Sequence, residues 1–185
     1  MISGFTRIDT VTIPDRFVSF VHVSDEGDAD IEYIRTTLEK DKDSLDYLGI
    51  RSDVDPLLVP DLYKDIKAVK PRGLKVLMVT EGSDPNALDD LIGAGYVKAV
   101  DLLLGKEIDE DQIGCIRIIE DNGCKFAVTV NAWEHDGDSI ADLSKHCKGC
   151  SMFILKTDRK HDVDKKKISA LTSAAKKITW NVRTA

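Results

Sequence analysis

A chain of 185 residues, 42% hydrophobic and 32% charged, is long enough for one domain with a substantial core, since a domain of about this size buries roughly 70% of its unfolded surface. Its 26 basic and 33 acidic residues leave a formal charge of −7, which opposes nucleic acid and anionic membrane surfaces alike. No apolar run approaches the ~20 residues of a membrane span, Met1–Asp9 lacks a secretory leader's apolar stretch, and the 4 cysteines make no disulfide framework; a cytoplasmic setting is expected.

Strand and helix patterns then alternate along the whole chain. Phe17–Val23 (FVSFVHV) reads as a first strand, and Ile31, Ile34 and Leu38 stripe the helix that follows it. Asp46–Arg51 (DYLGIR) is a short second strand. Leu62, Ile66 and Val69 mark the next helix, stopped at Pro71-Arg72-Gly73. Lys75–Thr80 (KVLMVT) is almost wholly apolar, as a strand buried on both faces should be. Pro85 opens a helix carrying Leu88, Leu91 and Ile92, with Gly93 and Gly95 closing it.

Val97–Leu103 is the fourth strand, followed by a helix with Ile113 and Ile116 inward. Lys125–Asn131 (KFAVTVN) is the fifth, with Ile140, Leu143 and Cys147 on the helix after it. Ser151–Lys156 (SMFILK) is the sixth. A long helix through Ile168, Leu171, Ala175 and Ile178 ends the pattern, and Ile178–Arg183 reads as a seventh strand. The clustered Arg159, Lys160, Lys165–Lys167, Lys176 and Lys177 form a solvated helical face.

Repeated βα units with buried parallel strands define an α/β fold. No Gly-x-Gly-x-x-Gly follows a strand, which removes the dinucleotide fingerprint. The length falls short of the ~250 residues of a full eight-unit barrel. An incomplete TIM-like (β/α)6 barrel, residues 1–185 as a single domain, is the expected architecture.

Function in such barrels concentrates at the C-terminal ends of the strands. That rim should carry His22, Asp53, Asp55, Thr80, Glu81, Asp101, Asn131, His135 and Lys156, flanked by Ser24, Asp25, Trp133 and Asp158. Such an acid-rich mouth with two imidazoles suits either a small ligand or a divalent metal, and loop ends are polar in any case. The lone pair Cys147-x-x-Cys150 sits beside His146, and with Cys124 it offers three thiols at the opposite face. A zinc site normally needs a further pair, so small half-buried thiols are the simpler reading. The turn Glu81–Pro85 leads into a helix N-terminus whose amides could receive an anion, and Ser83 or Asp84 as an ordinary helix cap explains it equally well.

Gly4-Phe5-Thr6-Arg7-Ile8-Asp9, Ile13-Pro14, Phe17–Val23, Thr80-Glu81-Gly82-Ser83-Asp84-Pro85, Val97–Asp101 and Val128-Thr129-Val130 occur in an order and spacing that resemble the radical S-adenosylmethionine superfamily. Within it they are most similar to the activating proteins of anaerobic ribonucleotide reductase and of glycyl-radical enzymes of the pyruvate formate-lyase type. The resemblance runs from Gly4 to about Thr157. It implies an N-terminal hairpin, a turn after the third strand and a fourth strand ending in an aspartate.

It also implies a Cys-x3-Cys-x2-Cys loop after the first strand, holding a four-iron cluster on which S-adenosylmethionine is cleaved. Here that loop is Ser24–Asp30 (SDEGDAD), and no cysteine precedes Cys115, whereas cluster ligation requires thiolates. The family's Gly-Gly-Glu-Pro corresponds to Asp53-Val54-Asp55-Pro56, which keeps an acid and the proline but neither glycine. The expectation is therefore a degenerate member without an iron–sulfur cluster: a pseudoenzyme binding a small ligand, S-adenosylmethionine included, or a protein partner. The alternative is a metal-assisted hydrolase or lyase using Asp53, Asp55, Glu81, Asp101 and His135. An open barrel edge would suit a homodimer.

Overall fold

The computed structural model describes all 185 residues. One sheet of eight strands runs in the order in which the strands occur in the chain. β1 (Ile2–Asp9) pairs antiparallel with β2 (Val18–Val23) as the expected hairpin. From β2 onward every pairing is parallel, through β3 (Tyr47–Arg51), β4 (Val76–Thr80), β5 (Ala99–Leu103), β6 (Lys125–Asn131), β7 (Met152–Lys156) and β8 (Val182–Thr184). A helix follows each of β2 to β7: α1 (Ile31–Asp41), α2 (Leu62–Val69), α3 (Pro85–Gly93), α4 (Glu110–Asp121), α5 (Gly137–Leu143) and α6 (Lys165–Ala175). These are the six βα units of a partial TIM-like barrel, closed by a short final strand.

Differences from the sequence reading lie at element ends and on the inward face of α4. The last strand is three residues, not six, because the chain after α6 turns through Ile178 and an exposed Trp180 before pairing with β7. Cys147 and Ile178 lie beyond α5 and α6 yet are buried, since the turns after both helices fold back onto the core. On α4 the inward face is Cys115, Ile116 and Ile119, and Ile113 is half-buried.

Two cores result from the alternation of side chains along each strand. The larger fills the space between sheet and helices, with Ile50, Met78, Leu102, Val128 and Phe153 on the sheet side. The smaller lies inside the barrel and contains Ile13, Val18, Phe20, Leu77, Val79, Ala99, Ala127, Met152 and Ile154. Gly49 is what lets Phe20 lie across this interior: a Cβ there would stand 2.4 Å from the Phe20 ring.

The two ends of the barrel are built differently. At the N-terminal end the β1–β2 connection folds underneath, burying Ile13 in the inner core. Asp15 Oδ2 accepts from Arg183 Nε at 2.9 Å, tying that connection to β8 across the gap where the sheet stays open. At the C-terminal end the helices begin, and aspartates cap most of them. Asp30, Asp84, Asp109, Asp136 and Asp164 accept from the main-chain N–H groups of Tyr33, Ala87, Gln112, Ser139 and Lys167. Each such cap stabilises its helix by about 1 kcal/mol and places negative charge at the positive end of the helix dipole. These five caps are acids at this end of the barrel in addition to those expected at the rim.

Candidate functional site

Eight of the nine expected rim residues fall into four groups, and the ninth, Asp53, is exposed beyond β3. Asp55 and Thr80 form one, and they face away from the mouth. Thr80 continues the helix-facing row of Val76 and Met78. Its hydroxyl donates to Asp55 Oδ1 at 2.5 Å, and Asp55 also accepts from Ser83 N at 2.9 Å and Leu57 N at 3.1 Å. Both residues are buried. The carboxylate caps the short turn Pro56–Leu58 and clamps it to the end of β4; this is a structural bolt, with its acceptor capacity largely filled.

His135 is the second. It is buried under the β6–α5 connection, with Nδ1 3.2 Å from Ser139 Oγ and Nε2 without a partner. Burial holds its imidazole below the ordinary value, against a smaller opposing pull from the main chain of Leu104. A neutral, sealed ring of this kind braces the start of α5.

The third group lies inside the barrel. Asp101 was expected at a strand end, but β5 continues past it to Leu103, because Leu102 still packs in the outer core. Asp101 is consequently 1% exposed, accepting from Thr129 Oγ1 at 2.8 Å. Burial pushes its carboxyl up to about 6, against the opposing Thr129 hydrogen bond and the positive field of Lys156. Glu81, Asn131 and Lys156 lie above it around a cavity of about 510 Å³, which Thr129, Gln112 and Glu134 also line. Gln112 Nε2 donates to the Glu81 carbonyl at 2.9 Å, and Asn131 Nδ2 to Glu134 Oε1 at 3.1 Å.

The fourth group is His22 with two residues that the sequence reading did not single out, Arg51 and Thr6. Arg51 is the last residue of β3, on the inward-facing row of Tyr47 and Gly49, and its guanidinium carbon lies 4.6 Å from the centre of the Phe20 ring. Its Nε donates to His22 Nε2 at 3.0 Å and its Nη2 to Thr6 Oγ1 at 3.3 Å; Thr6 Oγ1 is also 3.3 Å from His22 Nε2. An arginine can only donate, so Nε2 presents its lone pair and the ring proton sits on Nδ1. Burial and then the Arg51 charge hold the imidazole below its ordinary value, opposed by the exposed Asp53. The readable signal was the period-two row ending in an inward arginine.

No three or more histidine, cysteine or acidic side chains converge as a metal-holding set. Neither Asp53, Asp55, Glu81, Asp101 and His135 nor the trio Cys124, Cys147 and Cys150 is assembled that way. Burial raises the Cys147 and Cys150 thiols to about 12, as suits inert packing groups. The Ser24–Asp30 loop is laced to β1, with Ser24 N donating to Met1 O at 2.9 Å and Ala29 N to Ile2 O at 3.3 Å. Gly27 approaches so closely that a Cβ would lie 2.2 Å from the Ile2 carbonyl oxygen. No helix is long and apolar enough to cross a membrane.

The fold has counterparts among solved structures. SuiB of Streptococcus suis bound to S-adenosylmethionine superposes with a TM-score of 0.64 at 16% identity, over 83% of this chain and 41% of SuiB. SuiB bound to its precursor peptide SuiA superposes with a TM-score of 0.67 at 14% identity, over 88% of this chain and 43% of SuiB. This chain has a radical S-adenosylmethionine-like barrel fold. It spans less than half the length of these neighbours. No family model matches the sequence, and no curated protein does.

Proposed function

We propose that this chain is a non-catalytic barrel of the radical S-adenosylmethionine-like fold that receives a small polar ligand at its C-terminal mouth and works without an iron–sulfur cluster. The observation that carries this reading is the cavity of about 510 Å³ lined from the ends of β4 to β7 by Glu81, Thr129, Asn131 and Lys156. Ser24–Asp30 supplies only oxygen donors where a cluster would need thiolates, so the residues present do not fit that group. S-adenosylmethionine is the first ligand to test, because SuiB binds it on the same fold; Glu81, Asn131 and Lys156 would meet its polar groups. Within the fold, the likeness to activating proteins of glycyl-radical and ribonucleotide reductase systems makes a role beside such a protein part of this proposal, in a cytoplasmic setting.

The test is anaerobic calorimetric titration with S-adenosylmethionine, together with elemental analysis for iron and zinc. Saturable binding by iron-free protein, lost on Asn131→Ala with Lys156→Met, supports the proposal. Stoichiometric iron after anaerobic reconstitution, with reductive cleavage of S-adenosylmethionine, overturns it. The metal-assisted alternative requires a bound metal that Asp55→Asn and Asp101→Asn would both release.

A second reading, peptide or protein binding at the same mouth or homodimerisation through the open edge, draws on the SuiB complex with a precursor peptide and on the gap between β1 and β8. Light scattering at high concentration distinguishes the dimer.

A further inference from the structure

We propose that Arg51, with Thr6 and His22, forms the seat for an oxyanion, a phosphate or carboxylate group of the ligand, at the β1–β3 side of the barrel mouth. The inference rests on the reading that the mouth receives a ligand, and it assigns the charge and the chemical group on that side.

The chain has eight arginines. Arg7, Arg16, Arg35, Arg72, Arg117 and Arg159 are exposed, so water solvates their charge. Only Arg51 and Arg183 are partly shielded from solvent. Arg183 is paired with Asp15 at 2.9 Å. Arg51 has no carboxylate partner; its two internal contacts are a neutral imidazole nitrogen and a hydroxyl oxygen. In a chain with 33 acidic residues, a half-buried guanidinium without an acid is conspicuous. Partial burial costs a charge solvation that a neighbouring carboxylate would ordinarily restore.

The geometry also fixes the group in place. The Phe20 ring lies under the guanidinium at 4.6 Å, a favourable cation–π arrangement. Phe20 is itself fully buried and occupies the space left by Gly49. His22 and Thr6 hold the Nε and Nη2 edge. Two of the five guanidinium N–H donors are thereby used, and Nη1 retains both of its own. A guanidinium oriented in this way presents a planar fork to an incoming oxyanion and loses little freedom on binding it.

His22 adds a second donor. Because its Nε2 accepts from Arg51, the ring proton lies on Nδ1, which makes no hydrogen bond within the protein. The charged groups that act on this imidazole are Arg51 on β3 and Asp53 just beyond it, and Arg51 also acts on Asp9 at the end of β1. Asp9 is engaged by the Val11 and Thr12 main chain and the Thr12 hydroxyl. The whole chain is acidic, so its overall field does not gather anions, and any anion held here is held locally.

The experiment titrates the full chain with inorganic phosphate, and separately with acetate, at constant ionic strength. It follows the melting temperature and the imidazole proton resonances of His22 by NMR. In the wild type, phosphate should raise the melting temperature saturably and raise the His22 pKa. Arg51→Gln should weaken phosphate binding by about tenfold or more, the loss of charge-assisted hydrogen bonds, while circular dichroism stays unchanged. A response to acetate equal to that to phosphate assigns the seat to carboxylates, and a response to phosphate alone assigns it to phosphate esters. If Arg51→Gln does not fold, the His22 shift in the wild type decides by itself.

Phosphate binding that leaves His22 unmoved, or survives intact in folded Arg51→Gln, overturns the seat. No response to either anion while S-adenosylmethionine or a peptide binds the mouth overturns the seat but leaves the ligand-binding reading intact. No binding by any of them removes both.

Discussion

The two ends of this barrel use the same alternating strands for opposite purposes. At the N-terminal end, inward positions carry Val18, Leu77, Ala99 and Met152, and the β1–β2 connection inserts Ile13 among them as a plug. The space left there is a small cavity of about 160 Å³, mostly apolar in lining. At the C-terminal end the inward positions two or four residues further on are His22, Arg51, Asp101, Thr129, Asn131 and Lys156, and the last three of these line a cavity of about 510 Å³. One end excludes water and supplies cohesion. The other keeps polar side chains within reach of solvent, and the proposed ligand reading rests on them.

Phe20 is the shared element, and its removal should have the largest effect. Phe20→Ala is expected to cost about 3–5 kcal/mol, visible in urea unfolding. It should also abolish phosphate protection, because the floor beneath Arg51 is lost. Ile13→Ala lies at the closed end only and should cost about 2–4 kcal/mol while leaving ligand affinity at the mouth unchanged. If affinity falls with it, the two ends are not separable.

Asp101→Asn should go the other way. The Asp101 carboxyl is raised from 3.8 to about 6 by burial, so the native state holds its proton more tightly than the unfolded chain. The contribution of this group to stability therefore falls as pH rises from about 4 to about 6, and is constant above that. Replacing the acid should stabilise the protein by about 1–3 kcal/mol at pH 7 and by nothing measurable near pH 3, in urea unfolding at the two pH values. A loss of stability at pH 7 would show that Asp101 is ionised and satisfied by the positive field of Lys156.

The smallest effect is expected at the ion pair between the β1–β2 connection and β8. Arg183→Ala should cost less than about 0.5 kcal/mol, since both partners remain substantially exposed. A larger loss would mean that the pair keeps the open edge from separating.

Strand-by-strand organisation was legible because period-two and period-3.6 patterns are local. KVLMVT and KFAVTVN announce strands wherever they occur, and Pro85 after an aspartate announces a helix start. The absence of cysteine from Ser24–Asp30 was equally plain, as was the fold resemblance that solved structures support. The candidate site was legible only in part. His22, Glu81, Asn131 and Lys156 lie at or next to the C-terminal ends of β2, β4, β6 and β7, because a strand's C-terminal end is fixed by the fold class.

Asp55, Thr80, Asp101 and His135 were also named for that mouth, yet the structure puts all four in buried roles. Sequence position gives the height of a residue along a strand. Which face it takes, and whether a neighbouring strand or turn absorbs its hydrogen bonds, depends on partners far away in the chain. Thr80 meets Asp55 across 25 residues and Asp101 meets Thr129 across 28. Arg51, His22 and Thr6 come together because three strands lie side by side and Gly49 leaves room for Phe20. Local patterns were enough for the elements, the barrel and the missing thiolates. Which polar side chains are satisfied internally and which are not depends on the folded chain, because hydrogen-bond satisfaction in a parallel barrel is settled between strands.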